Sequence, residues 1–289
     1  MTARLLVFGA GGQVARALAA APGEFALEFA GRKRLDLAGG APDIAGLIEA
    51  AAPAAVINAS AYTAVDRAEE EPEACRRLNR DAPAAIGAAC TARGIPFVHF
   101  STDYVFDGEK DAPYVEADAR APLNVYGRTK TEGEVALEGL IAAGARIAVI
   151  RSAWVFAAGG AGFLGAMLRL AAERDEVSVV ADQWGSPTPA SACADAALVM
   201  TRALLDCDSG AAGVFHAAGS DDASWADFAE AIFALSEHPP RVRRITAADY
   251  PTVARRPRDS RLSSAKIASA FGWRAPPLSE ALAACLRRA

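Results

Sequence analysis

Leu5-Leu6-Val7-Phe8-Gly9-Ala10-Gly11-Gly12-Gln13-Val14-Ala15 is the stretch on which the fold turns. Four apolar residues make a short strand-like run, three glycines fall within the next four positions, and a helix-forming segment follows. Strand, glycine-rich turn and helix in that order present backbone N–H groups and a helix N-terminus to a pyrophosphate. Gly9 suits a tight turn and Gly12 lets a phosphate approach the backbone. Gly9, Gly12, Gln13 and Val14 are therefore candidates for cofactor contact. Ala15 stands where a third glycine is usual, a place where a methyl is often tolerated. A βα turn with glycines also occurs where nothing binds. Its place in the first unit of the chain is what favours a dinucleotide.

Working outward, short apolar runs alternate with helical segments. Strands are expected at Leu5–Phe8, Ala26–Ala30, Ala55–Asn58, Phe97–Ser101 and Ile147–Arg151, each nearly unbroken, as parallel strands covered on both faces require. Helices are expected at Gln13–Ala20, Ile44–Ala51, Glu73–Arg93 and Tyr126–Ala142. Pro83 inside the third predicts a kink or an early end. Beyond residue 151 the pattern loosens and prolines become frequent. Helices are expected there at Phe163–Arg174, Ala190–Leu205, Trp225–Ser236, Ser263–Phe271 and Ser279–Arg288, with strands at Val177–Val180 and Val214–His216. The fold class is α/β: a doubly wound parallel (Rossmann) sheet over 1–151, to which 190–217 returns. A smaller α+β substrate lobe is expected from 152–189 and 218–289.

The second strand ends Phe29-Ala30-Gly31-Arg32-Lys33, without the acid that would hold a ribose 2′-hydroxyl at that point. Arg32 or Lys33 would instead pair with a 2′-phosphate, against the plainer reading of a solvated basic loop. NADPH is favoured as cofactor, with NADH allowed.

Composition narrows the classes. The 289 residues are 52% hydrophobic and 22% charged, with a formal net charge of −5. This suits a globular protein and argues against nucleic acid or an anionic membrane as partner. Five dispersed cysteines and three isolated histidines form no disulfide framework and no metal cluster, so no metal is expected. His99, inside an apolar run, reads as a packed or hydrogen-bonded core residue. No stretch approaches a membrane span or a signal peptide, and the expectation is a cytoplasmic protein.

Three segments fall at the carboxyl ends of successive strands, where open α/β sheets bind ligands. They are Asn58-Ala59-Ser60-Ala61-Tyr62-Thr63, Ser101-Thr102-Asp103-Tyr104-Val105-Phe106 and Tyr126-Gly127-Arg128-Thr129-Lys130. Tyr126 and Lys130, four apart, share a helix face. A free phenol has a pKa near 10, too high for efficient proton exchange at neutrality, and a neighbouring ammonium lowers it. Thr102 supplies a hydroxyl to hold a carbonyl oxygen. A hydride donor, a proton donor and a group fixing the oxygen are what carbonyl reduction needs. With five Tyr and only four Lys in the chain, such a pair in this place is rarely an accident.

Together GAGGQV, RLDL, VINASAYTAVDRAEEEPE, FSTDYVFDG, PLNVYGRTK, RSAWVF, DQWGSPT and RPRDSRL resemble the extended short-chain dehydrogenase/reductases, and among them the dTDP-4-dehydrorhamnose reductase family. The resemblance spans nearly the whole chain. It implies NADPH-dependent reduction of the C4 ketone of a dTDP-linked 6-deoxysugar, with Tyr126 as proton donor, Lys130 as its partner, and Thr102 and Asp103 beside the substrate. It further implies cofactor contacts from Gly12, Gln13, Asp36, Leu37, Ala61, Tyr62 and Thr63, and a sugar-nucleotide site lined by Tyr104, Val105 and Trp154. Arg256 would hold the nucleotide end. A homodimer is compatible with the resemblance. The sequence departs from the family at Phe8, Ala15 and the Ser152-Ala153-Trp154-Val155-Phe156 segment.

Rival readings remain open at this level. A sugar-nucleotide dehydratase would carry a glutamate where Tyr104 stands, and a phenol does not replace that base. A regulatory NADP-binding subunit needs no intact Thr102, Tyr126 and Lys130. A reductase for another nucleotide ketosugar shares every motif above.

Overall fold

The computed structural model describes residues 2–39, 42–159, 162–208 and 210–287. Its centre is a six-stranded parallel sheet in the order β10-β5-β4-β3-β1-β2, comprising β1 (Arg4–Phe8), β2 (Ala26–Ala30), β3 (Ala55–Asn58), β4 (Phe97–Thr102), β5 (Ile147–Ser152) and β10 (Gly213–His216). The order reverses between β1 and β3, the position where doubly wound sheets open a crevice.

The unbroken apolar runs are explained by burial on both faces. Leu5, Val7, Ala55, Ile57, Val98, Ala148 and Ile150 pack beneath α1 (Gln13–Ala19) and α8 (Ala190–Leu205). Leu6, Phe8, Val56, Phe97, Ile147 and Val149 pack beneath α2 (Ile44–Ala51), α5 (Ala82–Thr91) and α6 (Val125–Ala142). Ile267 of α10 (Ala265–Phe271) and Trp273 join the first of these cores.

A second core lies outside the sheet, built from Phe156, Leu164, Met167, Val177, Val179, Phe228, Ile232, Phe233 and Leu282. It is enclosed by α7 (Phe163–Glu173), α9 (Trp225–Phe233), α11 (Leu278–Leu286) and a parallel pair of β7 (Glu176–Val180) with β12 (Arg241–Ile245). Two-residue strands complete it: β6 (Val155–Phe156) with β9 (Thr188–Pro189), and β8 (Trp184–Gly185) with β11 (Ala223–Ser224).

The structure departs from the sequence expectation in several places. The helix expected over Glu73–Arg93 is divided into α4 (Pro72–Arg76), a π-helical turn at Arg77–Asp81, and α5. The irregularity precedes Pro83, which has no N–H to offer the Asn79 carbonyl. A short helix α3 (Val65–Glu70) and strand β12 were not expected from sequence. The helix expected from Trp225 stops at Phe233, and that expected from Ser263 begins at Ala265. Arg288, the expected end of the last helix, lies outside the described residues.

Candidate active site

All six strands run the same way, so the segments after β1, β3 and β4 meet at one edge of the sheet. Gly9, at φ +97°, makes the turn after β1, and a Cβ there would stand 3.1 Å from the Ser60 backbone nitrogen and 3.2 Å from Ala59. Glycine is therefore required both by conformation and by the approach of the β3 loop. Gly11 and Gly12 are open: nothing lies within 4 Å of a Cβ on Gly11, and only the Ala59 oxygen, at 3.9 Å, near one on Gly12. The N-terminus of α1 carries no side-chain cap, leaving its backbone donors to a ligand. Such a turn fits a dinucleotide pyrophosphate. Gln13 reaches from it to the Val155 carbonyl at 3.3 Å, touching the second lobe. Val14 packs against the first core.

Of the other cofactor candidates, Arg32 and Asp36 are exposed and stand 4.0 Å apart. Leu37 is buried in the core with Ile44 and Ile48, so its side chain serves packing and only its backbone remains for a ligand. Ala61 and Thr63 are exposed on the loop after β3, with Tyr62 half-buried between them. The Tyr62 hydroxyl donates to Glu71 at 2.8 Å, and its pKa rises to about 12 through burial and then that carboxylate.

Sequence reading missed the residue that fixes this loop. Asn79 is fully buried in the π-helical turn; its Oδ1 accepts from Tyr62 N–H at 2.9 Å and its Nδ2 donates to the Tyr62 carbonyl at 3.1 Å. The same amide touches Cys75 and Thr129, tying the loop to α6. π-turns tend to occur where function imposes a local geometry, and here the turn brings Asn79 inward. An Asn in an Arg-rich helical run gives no sequence signal of that contact.

Thr102 ends β4 and caps a 3₁₀ turn, Asp103–Val105, by accepting from Tyr104 N–H at 3.2 Å. Its hydroxyl donates to Asp103 at 2.9 Å. The Asp103 carboxylate also accepts from Ser260 at 2.6 Å, a bond to the Arg256–Leu262 segment that sequence did not reveal. Burial raises the pKa of Asp103 to about 6, against those two hydrogen bonds.

Asn124 caps α6 by accepting from Gly127 N–H at 2.8 Å, which puts Tyr126 in the first turn. A Cβ on Gly127 would lie 2.2 Å from the Tyr104 carbonyl. Glycine after Tyr126 thus lets the helix touch the 3₁₀ turn and brings Tyr126 to Tyr104, edge to face at 5.8 Å between ring centres. The Tyr126 phenol is pushed above its ordinary range by burial, the nearby Thr102 side chain pulling the other way.

Lys130 lies one helical turn from Tyr126 on α6 and is fully buried. Its Nζ is turned inward, donating to the Phe100 carbonyl and lying 3.2 Å from His99 Nε2. A four-carbon stem reaches β4 from that helix face. Burial lowers the Lys130 pKa to about 8, opposed by Glu134 and Cys75. His99 is a buried, hydrogen-bonded core residue, in accord with its apolar setting.

Behind these groups, Glu134 receives two hydrogen bonds from Arg151, at 2.9 and 2.7 Å, and one from Arg120 at 3.0 Å. Arg151 and Glu134 are both buried, fastening α6 to β5.

The substrate candidates separate. Tyr104 faces Tyr126, whereas Val105 is fully buried with Phe106, Tyr114, Ala153, Ala218 and Leu262, so its side chain is core. Trp154 adopts φ 46°, a left-handed backbone for a bulky residue, and stacks on Trp225 with ring centres 3.5 Å apart. Arg256 is engaged by Asp66 at the start of α3 through bonds of 2.9 and 2.6 Å. The guanidinium holds the Asp66 carboxyl below its usual range.

Known proteins share this fold over nearly the whole chain. A family model described as the RmlD substrate binding domain matches residues 3–289. A dTDP-4-dehydrorhamnose reductase of Sinorhizobium fredii is 43% identical over 279 residues, covering 94% of this chain and 93% of that protein. A dTDP-4-dehydrorhamnose reductase from Clostridium acetobutylicum superposes with a TM-score of 0.90 at 30% identity, over 99% of both chains. The enzyme of that name from Bacillus anthracis, solved in complex with NADP, gives a TM-score of 0.89 at 29% identity over 100% of both chains.

Proposed function

The chain belongs to the dTDP-4-dehydrorhamnose reductase family, and on that premise we propose that it reduces the C4 ketone of dTDP-4-dehydrorhamnose with NADPH, Tyr126 giving the proton. It is a NAD(P)H-dependent oxidoreductase by that membership. The observation that carries the assignment of roles is the convergence of Thr102, at the end of β4, with Tyr126, in the first turn of α6, where the Tyr126 ring packs on Tyr104 at the carboxyl edge of the sheet.

NADPH, when bound, supplies the hydride. The open backbone at Gly11 and Gly12 and the uncapped start of α1 are suited to its pyrophosphate. Arg32 stands at the end of β2 for a 2′-phosphate, and the Ala61–Thr63 loop, clamped by Asn79, forms the next wall. Thr102 would fix the ketone oxygen by turning toward it the hydroxyl hydrogen that it otherwise gives to Asp103. Tyr126 holds its proton firmly at neutral pH, because burial disfavours the phenolate, and releases it to the oxygen as negative charge develops there. Lys130 provides a cation close behind the phenol's helix turn. Trp154, held against Trp225, forms a flat wall for the sugar nucleotide.

We further propose that the two cores are two lobes, with the sugar nucleotide between them. Residues 1–151 and 190–217, with α10, make the cofactor lobe, and 152–189 with the remainder of 218–289 make the substrate lobe. Gln13–Val155, Asp66–Arg256 and Asp103–Ser260 cross between the two. Arg256 lies at this seam beside Tyr104, placed to meet a diphosphate from the substrate side.

The test is NADPH oxidation followed spectrophotometrically against dTDP-, GDP- and UDP-linked 4-keto-6-deoxysugars. Turnover of the dTDP-linked ketone without loss of water is the expected result. Turnover confined to a GDP- or UDP-linked sugar would replace the substrate, and no oxidation with any of them would remove the reductase assignment.

A further inference from the structure

Two buried hydroxyls from distant parts of the chain share the buried Asp103 carboxylate. Thr102, at the end of β4, donates to Oδ1 at 2.9 Å, and Ser260 donates to Oδ2 at 2.6 Å. The Ser260 hydroxyl has one hydrogen and two acceptors in reach, the carboxylate and the Trp184 carbonyl at 3.4 Å. The shorter contact has the length of a hydrogen bond to a charged oxygen, so the hydrogen goes to Asp103. Ser260 is itself held by backbone. Its N–H donates to the Trp184 carbonyl at 2.8 Å, and the Trp184 N–H donates to the Arg258 carbonyl at 2.8 Å. The segment that runs beside β8 thus delivers a hydroxyl to the end of β4.

The two donors differ in what else is asked of them. Fixing a ketone oxygen takes the Thr102 hydrogen away from the carboxylate, whereas the Ser260 hydrogen can stay. A buried carboxylate that loses its donors is costly, and Ser260 limits that cost at the moment Thr102 turns. We propose that Ser260 is a positioning residue for Thr102, acting through Asp103: by keeping one donor on the carboxylate, it lets the Thr102 hydroxyl turn to the substrate. Without Ser260 the carboxylate retains the Thr102 hydrogen, and the ketone oxygen goes without it. The titratable groups facing the carboxylate are Tyr104 on its own turn and Tyr126 on α6, and burial keeps both phenols neutral at neutral pH. Arg256, four residues before Ser260, faces Tyr104.

The kinetic arm of the test rests on the reductase reading, whereas the carboxyl titration is read in the protein by itself. Carbon-13 NMR of aspartate-labelled protein reports Asp103, its signal assigned through its loss in Asp103→Asn. A donor to the charged form holds the pKa down, so Ser260→Ala should move the midpoint upward from about 6 by ~1 pH unit. In NADPH oxidation with the dTDP-linked ketosugar, the same variant should lose ~10-fold in kcat with NADPH affinity unchanged. The double variant shows whether the effect passes through Asp103. Once Asp103→Asn has removed the charge, adding Ser260→Ala should change kcat by no more than about twofold. An equal ~10-fold loss in that background, an unmoved carboxyl midpoint, or full kcat in Ser260→Ala would each overturn the proposal. A midpoint that moved as expected, in a protein whose wild type reduced no ketosugar, would count against the reductase reading alone.

Discussion

The two sides of the sheet's carboxyl edge are built from different materials. At β1 and β3 the surface is backbone: Gly9 against Ala59 and Ser60, and the open Gly11 and Gly12. At β4, β5 and α6 it is buried side chains: His99, Lys130, Glu134, Arg151 and Asp103, each satisfied by a partner from another element. A backbone surface suits a ligand recognised by its phosphates whatever the rest of it, whereas a surface of oriented side chains suits chemistry at one atom.

If that contrast holds, the side-chain half should be the more fragile. Glu134→Gln leaves the buried Arg151 guanidinium without its full partner, and we expect a loss of about 3–5 kcal/mol in chemical denaturation. Gly9→Ala forces a methyl into a left-handed turn beside Ser60 and should cost about 1–3 kcal/mol, with weaker NADPH binding by fluorescence titration. A larger loss from Gly9→Ala than from Glu134→Gln would reverse the comparison.

The contrast also explains what could be read from sequence. Glycines at 9, 11 and 12 announce the backbone half, because only a special conformation or a close ligand requires them at a strand end. All five early strands were legible from apolar runs that burial on both faces demands. The side-chain half depends on partners far apart in the chain: Asn79 with Tyr62 at a separation of 17 residues, Ser260 with Asp103 at 157, Arg256 with Asp66 at 190. No local period encodes such pairs. Strand β12 was hidden for a related reason, since Arg241, Arg243 and Arg244 are exposed and the strand pairs only with β7. The residue types Thr102, Tyr126 and Lys130 were legible by spacing, but the inward turn of Lys130 to His99 was not.

Asp103 sharpens the comparison through pH. Its pKa in the fold, about 6, lies above the ordinary carboxyl value, so the folded state binds the extra proton between roughly pH 4 and 6. The stability it contributes is present below pH 4 and is lost as pH rises through 6. Asp103→Asn should flatten the melting temperature across that window, removing a slope worth on the order of 2–3 kcal/mol. An unchanged slope would place the titration elsewhere. The smallest effect is expected at the partly exposed seam: Arg256→Ala should change stability by about 1 kcal/mol or less, while raising KM for the sugar nucleotide. Loss of kcat with KM unchanged would count against its place at the diphosphate.

The central claim is that Tyr126 delivers the proton. Oxidation of NADPH by the Tyr126→Phe protein in the presence of dTDP-4-dehydrorhamnose, with cofactor affinity measured in parallel, tests it most directly. The account predicts a fall in kcat of ~10²–10⁴-fold with NADPH bound as tightly as before. Wild-type turnover from the phenylalanine variant would contradict it.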